Sequence, residues 1–301
     1  MKKTIITISI LFLIIIFINP TNIISSVQLS FNICIKNLFP TLFPFLLLSN
    51  IMTNYGFIEI CAKIGNIIMK KIFKINQNGF YVLIMSMLSG SPSNAKYINQ
   101  LLEKKLINHY EANQLLTFTH CVNPLFIIGT IGITFLKSKT IGIIILISHY
   151  LGNIITGIIM RKKNIISDYK ISSYNPNKSF IKVLTHSIND TINTLMLILG
   201  VVTTCLIFTT VVSSIIHINP IYSGILEITQ GINYIYQSNL NIMIKTIFIT
   251  FIISFGGLSI HMQVMSILEN KKIRYLPYFI ARLIHAILSS IIVFILYKTI
   301  L

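Results

Sequence analysis

Ser89-Gly90-Ser91-Pro92-Ser93-Asn94-Ala95-Lys96 interrupts an apolar run with small and polar residues. About 166 residues later, Phe255-Gly256-Gly257-Leu258-Ser259-Ile260-His261-Met262-Gln263 does the same. Laying Gly90 on Gly256 also lays Ser93 on Ser259, Leu101-Leu102-Glu103 on Ile267-Leu268-Glu269, and Lys105 on Lys271. An apolar chain that repeats one interruption in each half follows the pattern that points to a substrate site in transporter folds.

The composition around these breaks sets the class. The chain is 54% hydrophobic and 10% charged, with a mean hydropathy of +0.80. Those values belong to a polytopic membrane protein and exclude an ordinary soluble domain. Several runs approach the ~20 residues a helix needs to cross ~30 Å of hydrocarbon. The net charge is +17, yet the cations sit between apolar runs. They read as loops facing anionic membrane lipid, not as a nucleic-acid surface. Cys34, Cys61, Cys121 and Cys205 lie in or beside apolar stretches without a C-x-x-C spacing, so neither a disulfide framework nor a metal site is expected.

Along the chain, Lys2-Lys3 and the run Ile5–Ile18 read as an uncleaved signal-anchor within residues 1–28. Spans follow at about 31–54, kinked by Pro40 and Pro44, and at about 115–136 and 140–160. A basic segment at 57–75 and shorter segments at 79–95 and 97–113 lie between them. The polar loop 161–182, with Asn175-Pro176-Asn177, divides the chain. The second half then offers 187–216, 221–236, 240–256, the polar stretch 261–274, and a last span at 276–297.

The expected fold is all-α: a polytopic integral membrane protein with two inverted repeats, 29–160 and 183–301, and paired re-entrant helical hairpins at 79–111 and 240–274. The positive-inside rule then puts the N-terminus, 57–78, 96–111, 161–182 and Lys298 in the cytoplasm. Lys271-Lys272-Arg274 is left outside, which is the weak point of this topology.

Leu38-Phe39-Pro40-Thr41-Leu42-Phe43-Pro44-Phe45, the two break motifs and Asn123-Pro124-Leu125-Phe126-Ile127-Ile128-Gly129 together resemble the sporulation integral membrane protein YlbJ family. The resemblance runs from about residue 30 to 297. It implies a Gate, or nucleoside-recognition, domain of the kind also found in concentrative nucleoside transporters and a ferrous-iron transporter. It further implies a role in spore development in the cell membrane, with other sporulation membrane proteins or a second copy as partners.

The candidate substrate-binding residues are Ser89, Gly90, Ser91, Pro92, Ser93 and Asn94 at the first break, and Gly256, Gly257, Ser259, His261 and Gln263 at the second. Half-helices meeting at such breaks expose N–H and C=O groups to a ligand; the competing reading is close helix packing through small residues. Asn123 is a candidate through its amide, and Pro124 beside it kinks the span. Glu227 is the stronger of two intramembrane acids, the other being Glu59, because a buried carboxylate faces a cavity or a partner. Arg282 and His285 share a helix face, and Arg282 is a candidate partner for Glu227.

No G-x-S-x-G, H-E-x-x-H, Walker or G-x-G-x-x-G sequence occurs, so no enzyme and no cofactor is expected. The leading expectation is a transporter or channel for a small, still unknown polar solute, nucleoside-like by the resemblance. A non-transporting membrane scaffold, or a permeability component of a spore-assembly complex, is the alternative.

Overall fold

The computed structural model describes residues 2–162, 167, 179–214, 224–269 and 271–301. Most of the polar loop and the start of the 221–236 segment lie outside the described residues. Among the described residues the structure is all helix and turn. Five helices are long and apolar enough to cross a membrane: Pro20–Asn54, Lys139–Ile159, Phe180–Ser213, Ile242–Ile267 and Tyr275–Ile300. The chain is a multi-pass integral membrane protein.

In order, the helices are α1 (Lys2–Ile18), α2 (Pro20–Ile33), α3 (Phe39–Asn54), α4 (Phe57–Ile67), α5 (Gly79–Ser89), α6 (Ser93–Glu103), α7 (His109–Phe118), α8 (Lys139–Ile159), α9 (Phe180–Ser213), α10 (Ile228–Gln237), α11 (Ile242–Phe255), α12 (Gly257–Ile267) and α13 (Tyr275–Ile300). Three π-helical stretches join them: Cys34–Leu38, Ile68–Phe73 and Phe126–Phe135. The first of these precedes Pro40, whose missing N–H removes a helical bond and favours a wider turn there.

Polar loops define one end of the molecule. Arg161 donates to Ile72 O at 3.0 Å, and Asn76 donates to Ser167 O at 2.9 Å. The Glu111 carboxylate, fully buried, accepts from the N–H groups of Asn76, Asn108 and Ser167 at 2.8, 3.0 and 3.0 Å. Lys271 pairs with Glu103 at 3.2 Å, and its carbonyl lies 2.9 Å from His109 Nδ1. Residues 70–78, 103–111, 160–162 and 271–275 therefore share a basic end. The expectation that set Lys271-Lys272-Arg274 apart from 161–162 is overturned. So is the placement of Lys298 with them: α13 (Tyr275–Ile300) starts at the basic end and carries Lys298 about 35 Å from Tyr275.

The two look-alike breaks are built differently. After the first, the chain turns back. Tyr81 OH donates to Gln100 Oε1 at 3.3 Å and Asn78 Nδ2 to Leu106 O at 3.0 Å, so α5 and α6 run antiparallel. Each arm has 11 residues, about 16 Å, half of a bilayer core. After the second break the chain runs on. Ile242–Ile267 is a 26-residue candidate span, with α11 on α13, α10 and α8, and α12 on α9 and α6. The expected second hairpin at 240–274 is thus a bent crossing.

A different segment turns back in the second half. Residues 224–226 are helical, Glu227 is extended, and α10 follows. A Cβ on Gly231 would lie 2.2 Å from Gly224 Cα, so the chain folds against itself through two glycines.

The expected span at 115–136 is not one helix either. Alpha-helix stops at Phe118, residues 119–123 are non-helical, and helix resumes at Pro124, becoming π-helical from Phe126. Pro124 cannot donate a helical bond. The Asn123 side chain instead caps the new helix, accepting from Leu125 and Phe126 N–H at 2.8 and 3.3 Å.

Candidate functional site

Four interruptions meet in the middle of the fold: 90–92, 119–123, Glu227 and 256–257. Their loose backbone groups are satisfied largely by α8. His149 Nε2 accepts from Val122 N–H at 3.0 Å, which places its proton on Nδ1, 2.8 Å from Ser254 Oγ. Asn153 donates to His120 O at 3.0 Å. Tyr150 OH donates to Met87 O. Ser91 N–H reaches across to Cys121 O at 2.7 Å. Asn123 Nδ2 donates to Leu88 O at 3.0 Å and Thr41 O at 3.2 Å. Without these partners the broken helices would leave bare polar groups in an apolar interior, at several kcal/mol each.

His120 sits between two of the breaks and was not singled out from the sequence. Its Nδ1 lies 3.0 Å from Ser91 Oγ. A Cβ on Gly256 would come within 2.6 Å of the ring's Cε1. Gly90 closes from the other side, where a Cβ would lie 2.9 Å from Asn123 N. Both glycines have left-handed φ, +81° and +95°, so they provide the turn as well as the clearance. Gly257, with φ +55°, packs on Ile228 and on the carbonyl of Leu226, linking the second break to Glu227.

These segments line a partly open cavity of about 70 Å³. Its polar lining is Thr41, Ser91, Asn123, Glu227, Thr229, Ser259 and Gln263; Pro92, Val122, Phe126 and Ile198 add apolar walls. Glu227 is the ionisable group in that lining and is 3% exposed. It occupies the N-cap of α10, where its carboxylate accepts from Gln230 N–H at 2.7 Å. A carboxylate there completes the helix and meets the positive end of its dipole. On the far side of Thr229 a second cleft of about 280 Å³, lined also by Asn32, Lys36, Gln230 and Asn233, leads to the end opposite the basic one.

Of the expected residues, the structure brings Ser91, Pro92, Asn123, Glu227, Ser259 and Gln263 to one cavity, with Gly90, Gly256 and Gly257 supporting its corners. Ser89 turns away to Met85 O and Tyr97 OH, at 2.7 and 2.9 Å. Ser93 and Asn94 are buried in α6 outside the cavity lining. His261 is held between Phe255 O at 2.9 Å and Tyr275 OH at 3.1 Å, facing α13.

The proposed Arg282–Glu227 pair does not form. Arg282 is fully buried and donates to Thr117 O, to His285 Nδ1 at 2.9 Å and to Asn153 Oδ1 at 3.4 Å. It caps the last turn of α7, where carbonyls are left over and the dipole is negative. The helix break at 119 is what gives this cation its place.

No protein-family model and no solved structure matches the chain. Among curated proteins it is similar to "Sporulation integral membrane protein YlbJ" of Bacillus subtilis (strain 168). The two are 27% identical over 301 residues, which cover 86% of this chain and 74% of that protein. The chain is a distant homologue of that sporulation membrane protein.

Proposed function

We propose that this protein is a transporter or channel that moves a small polar solute across a membrane of the sporulating cell. The observation that carries the reading is the convergence of helix interruptions, from both halves of the chain, around one cavity whose wall carries polar groups. Non-helical backbone at membrane depth persists where it lines a cavity or is buried in protein, and here it does both. Ser91, Asn123, Thr229, Ser259 and Gln263 offer hydrogen bonds; Glu227 favours a solute or coupling ion with positive charge. The cavity, about 70 Å³, is far below the ~300–1,000 Å³ of pockets that hold drug-sized ligands. A nucleoside therefore requires a more open state, and a smaller solute does not.

The reading includes two halves, 29–160 and 183–301, of opposite orientation. The α5–α6 hairpin dips from the basic end and the Gly224–Gln237 hairpin from the other, with their tips at the cavity. Paired packing supports this: α8 lies along α13, and α7 packs on α13 as α11 packs on α8. These contacts are symmetric when α8 corresponds to α13 and α7 to α11. Solute leaves past Thr229 when the second hairpin moves, and towards the basic end when the first one does.

Purified protein in liposomes, assayed for uptake of small amines, amino acids and nucleosides, tests the proposal. Uptake of one class that falls with Ser259→Val and Glu227→Gln, at unchanged protein abundance, supports it. Absence of uptake for all classes, together with loss of abundance in both variants, assigns the breaks to packing and ends the transport reading.

A further inference from the structure

The basic end of the molecule carries a separate cleft, independent of any transport. A cleft of about 430 Å³ opens between the N-termini of α7 and α13 and the C-terminus of α8. Lys162, Lys272, Arg274 and His109 stand around it, and Gln114 and Thr117 lie at its floor. No carboxylate lines it among the described residues. The neighbouring Lys271 is neutralised by Glu103 at 3.2 Å, but Lys162, Lys272 and Arg274 have no ion pair among the described residues.

Two further features give the cleft a sign and a floor. The N-terminus of α13 has no side-chain cap and presents free N–H groups and a positive dipole end, whereas that of α7 is closed by the Asn108–Glu111 capping box. Arg274 is held at the rim because its own N–H donates to Asn113 Oδ1 at 2.8 Å. Gln114 is 4% exposed, and its Nε2 is buried without a hydrogen-bond partner among the described residues. An unmatched buried donor costs about 1–3 kcal/mol, so this amide calls for an acceptor. Below it lies Thr117, whose carbonyl is already taken by Arg282.

We propose that this cleft binds a phosphate-bearing anion, coordinated by Lys162, Lys272 and Arg274 and reached by the Gln114 amide. The ends of two candidate spans, Ile159 and Tyr275, flank it. That level is where the phosphates of anionic lipid lie, and a soluble phosphate ester offers the same chemistry.

The full-length protein, purified in mild detergent, is offered phosphatidylglycerol, phosphatidylcholine or glycerol 3-phosphate, and bound ligand is counted by native mass spectrometry. Expected is retention of phosphatidylglycerol over phosphatidylcholine, falling about tenfold, or 1.4 kcal/mol, in the Lys272→Ala/Arg274→Ala double variant. Glycerol 3-phosphate that displaces the lipid, with the same dependence on these residues, identifies a soluble source for the same site. Gln114→Leu keeps the cations and removes the amide, so weaker retention in that variant locates the anion at the floor. Equal retention of both lipids, or retention unchanged in the double variant and in Gln114→Leu, overturns the proposal. Should the double variant not fold, Lys162→Ala with Gln114→Leu decides by the same criterion.

Discussion

His120 Nδ1 lies 3.0 Å from Ser91 Oγ, joining the tip of the α5–α6 hairpin to the non-helical segment at 119–123. The same ring fills the space that a side chain at position 256 would need. Three of the four interruptions are thus in register through one imidazole, and a shift of the hairpin tip has to move or break that bond.

A double-mutant cycle measures the link. Ser91→Ala and His120→Ala, singly and together, should show a coupling of about 0.5–1.5 kcal/mol, the size of a net hydrogen bond. The readout is thermal or denaturant unfolding of the purified protein. Additive effects would mean that the tip and the non-helical segment are held independently.

Gly256→Ala should destabilise the fold by two mechanisms. The residue has φ +95°, and a left-handed side chain costs about 1–2 kcal/mol. The new Cβ also enters the 2.6 Å gap to His120, and overpacking of this kind costs about 1–3 kcal/mol. Gly200, in the middle of α9, has nothing within 4 Å of its Cβ position. There the same substitution should stabilise by about 0.5–1 kcal/mol through helix propensity. Opposite signs of the change in melting temperature confirm the contrast; equal signs refute the close approach at 256.

Glu227 has a structural role and a proposed functional one, and two substitutions separate them. Glu227→Gln keeps an oxygen for Gln230 N–H, so stability should move by less than about 1 kcal/mol. The charge is lost, and uptake should fall by about tenfold or more, equivalent to 1.4 kcal/mol. Glu227→Ala removes the cap as well and should cost about 1 kcal/mol in stability. A fully active Glu227→Gln protein would show that the carboxylate serves the helix alone.

Much of the site could be read from residue types. Small and polar residues inside apolar runs marked 90–92 and 256–257, and an acid in an apolar context marked Glu227. What those signals lack is direction. A glycine with positive φ bends the chain, but neighbours far away decide whether it returns. The α5 helix meets α6 through Tyr81 and Gln100, whereas α11 continues into α12 because α11 packs on α13 and α8 while α12 packs on α9 and α6. The second returning segment relies on Gly224 against Gly231, a contact across seven residues with no local motif. The melted stretch at 119–123 looked like a proline kink because its hydrogen-bond partners, His149, Tyr150 and Asn153, come from a separate helix. Its one local mark is Thr119-His120 ahead of Asn123-Pro124, polar residues that an unbroken span would not favour.

The direction of the second break can be tested without a structure. Cys34, Cys61, Cys121 and Cys205 are all buried, so the native chain should react little with a membrane-impermeant maleimide. Cysteines placed singly at Lys162, Lys272 and Lys298 then report on sidedness in sealed vesicles. Because Ile242–Ile267 crosses and α13 crosses back, Lys162→Cys and Lys272→Cys should label from one side and Lys298→Cys from the other. The side shared by 162 and 272 should be the cytoplasmic one, since it collects Lys70, Lys71, Lys74, Lys104, Lys105 and Arg161 as well. If the second glycine break returned the chain, Lys272→Cys would label opposite Lys162→Cys. The shared basic end, the anion cleft and the bent crossing would then fall together.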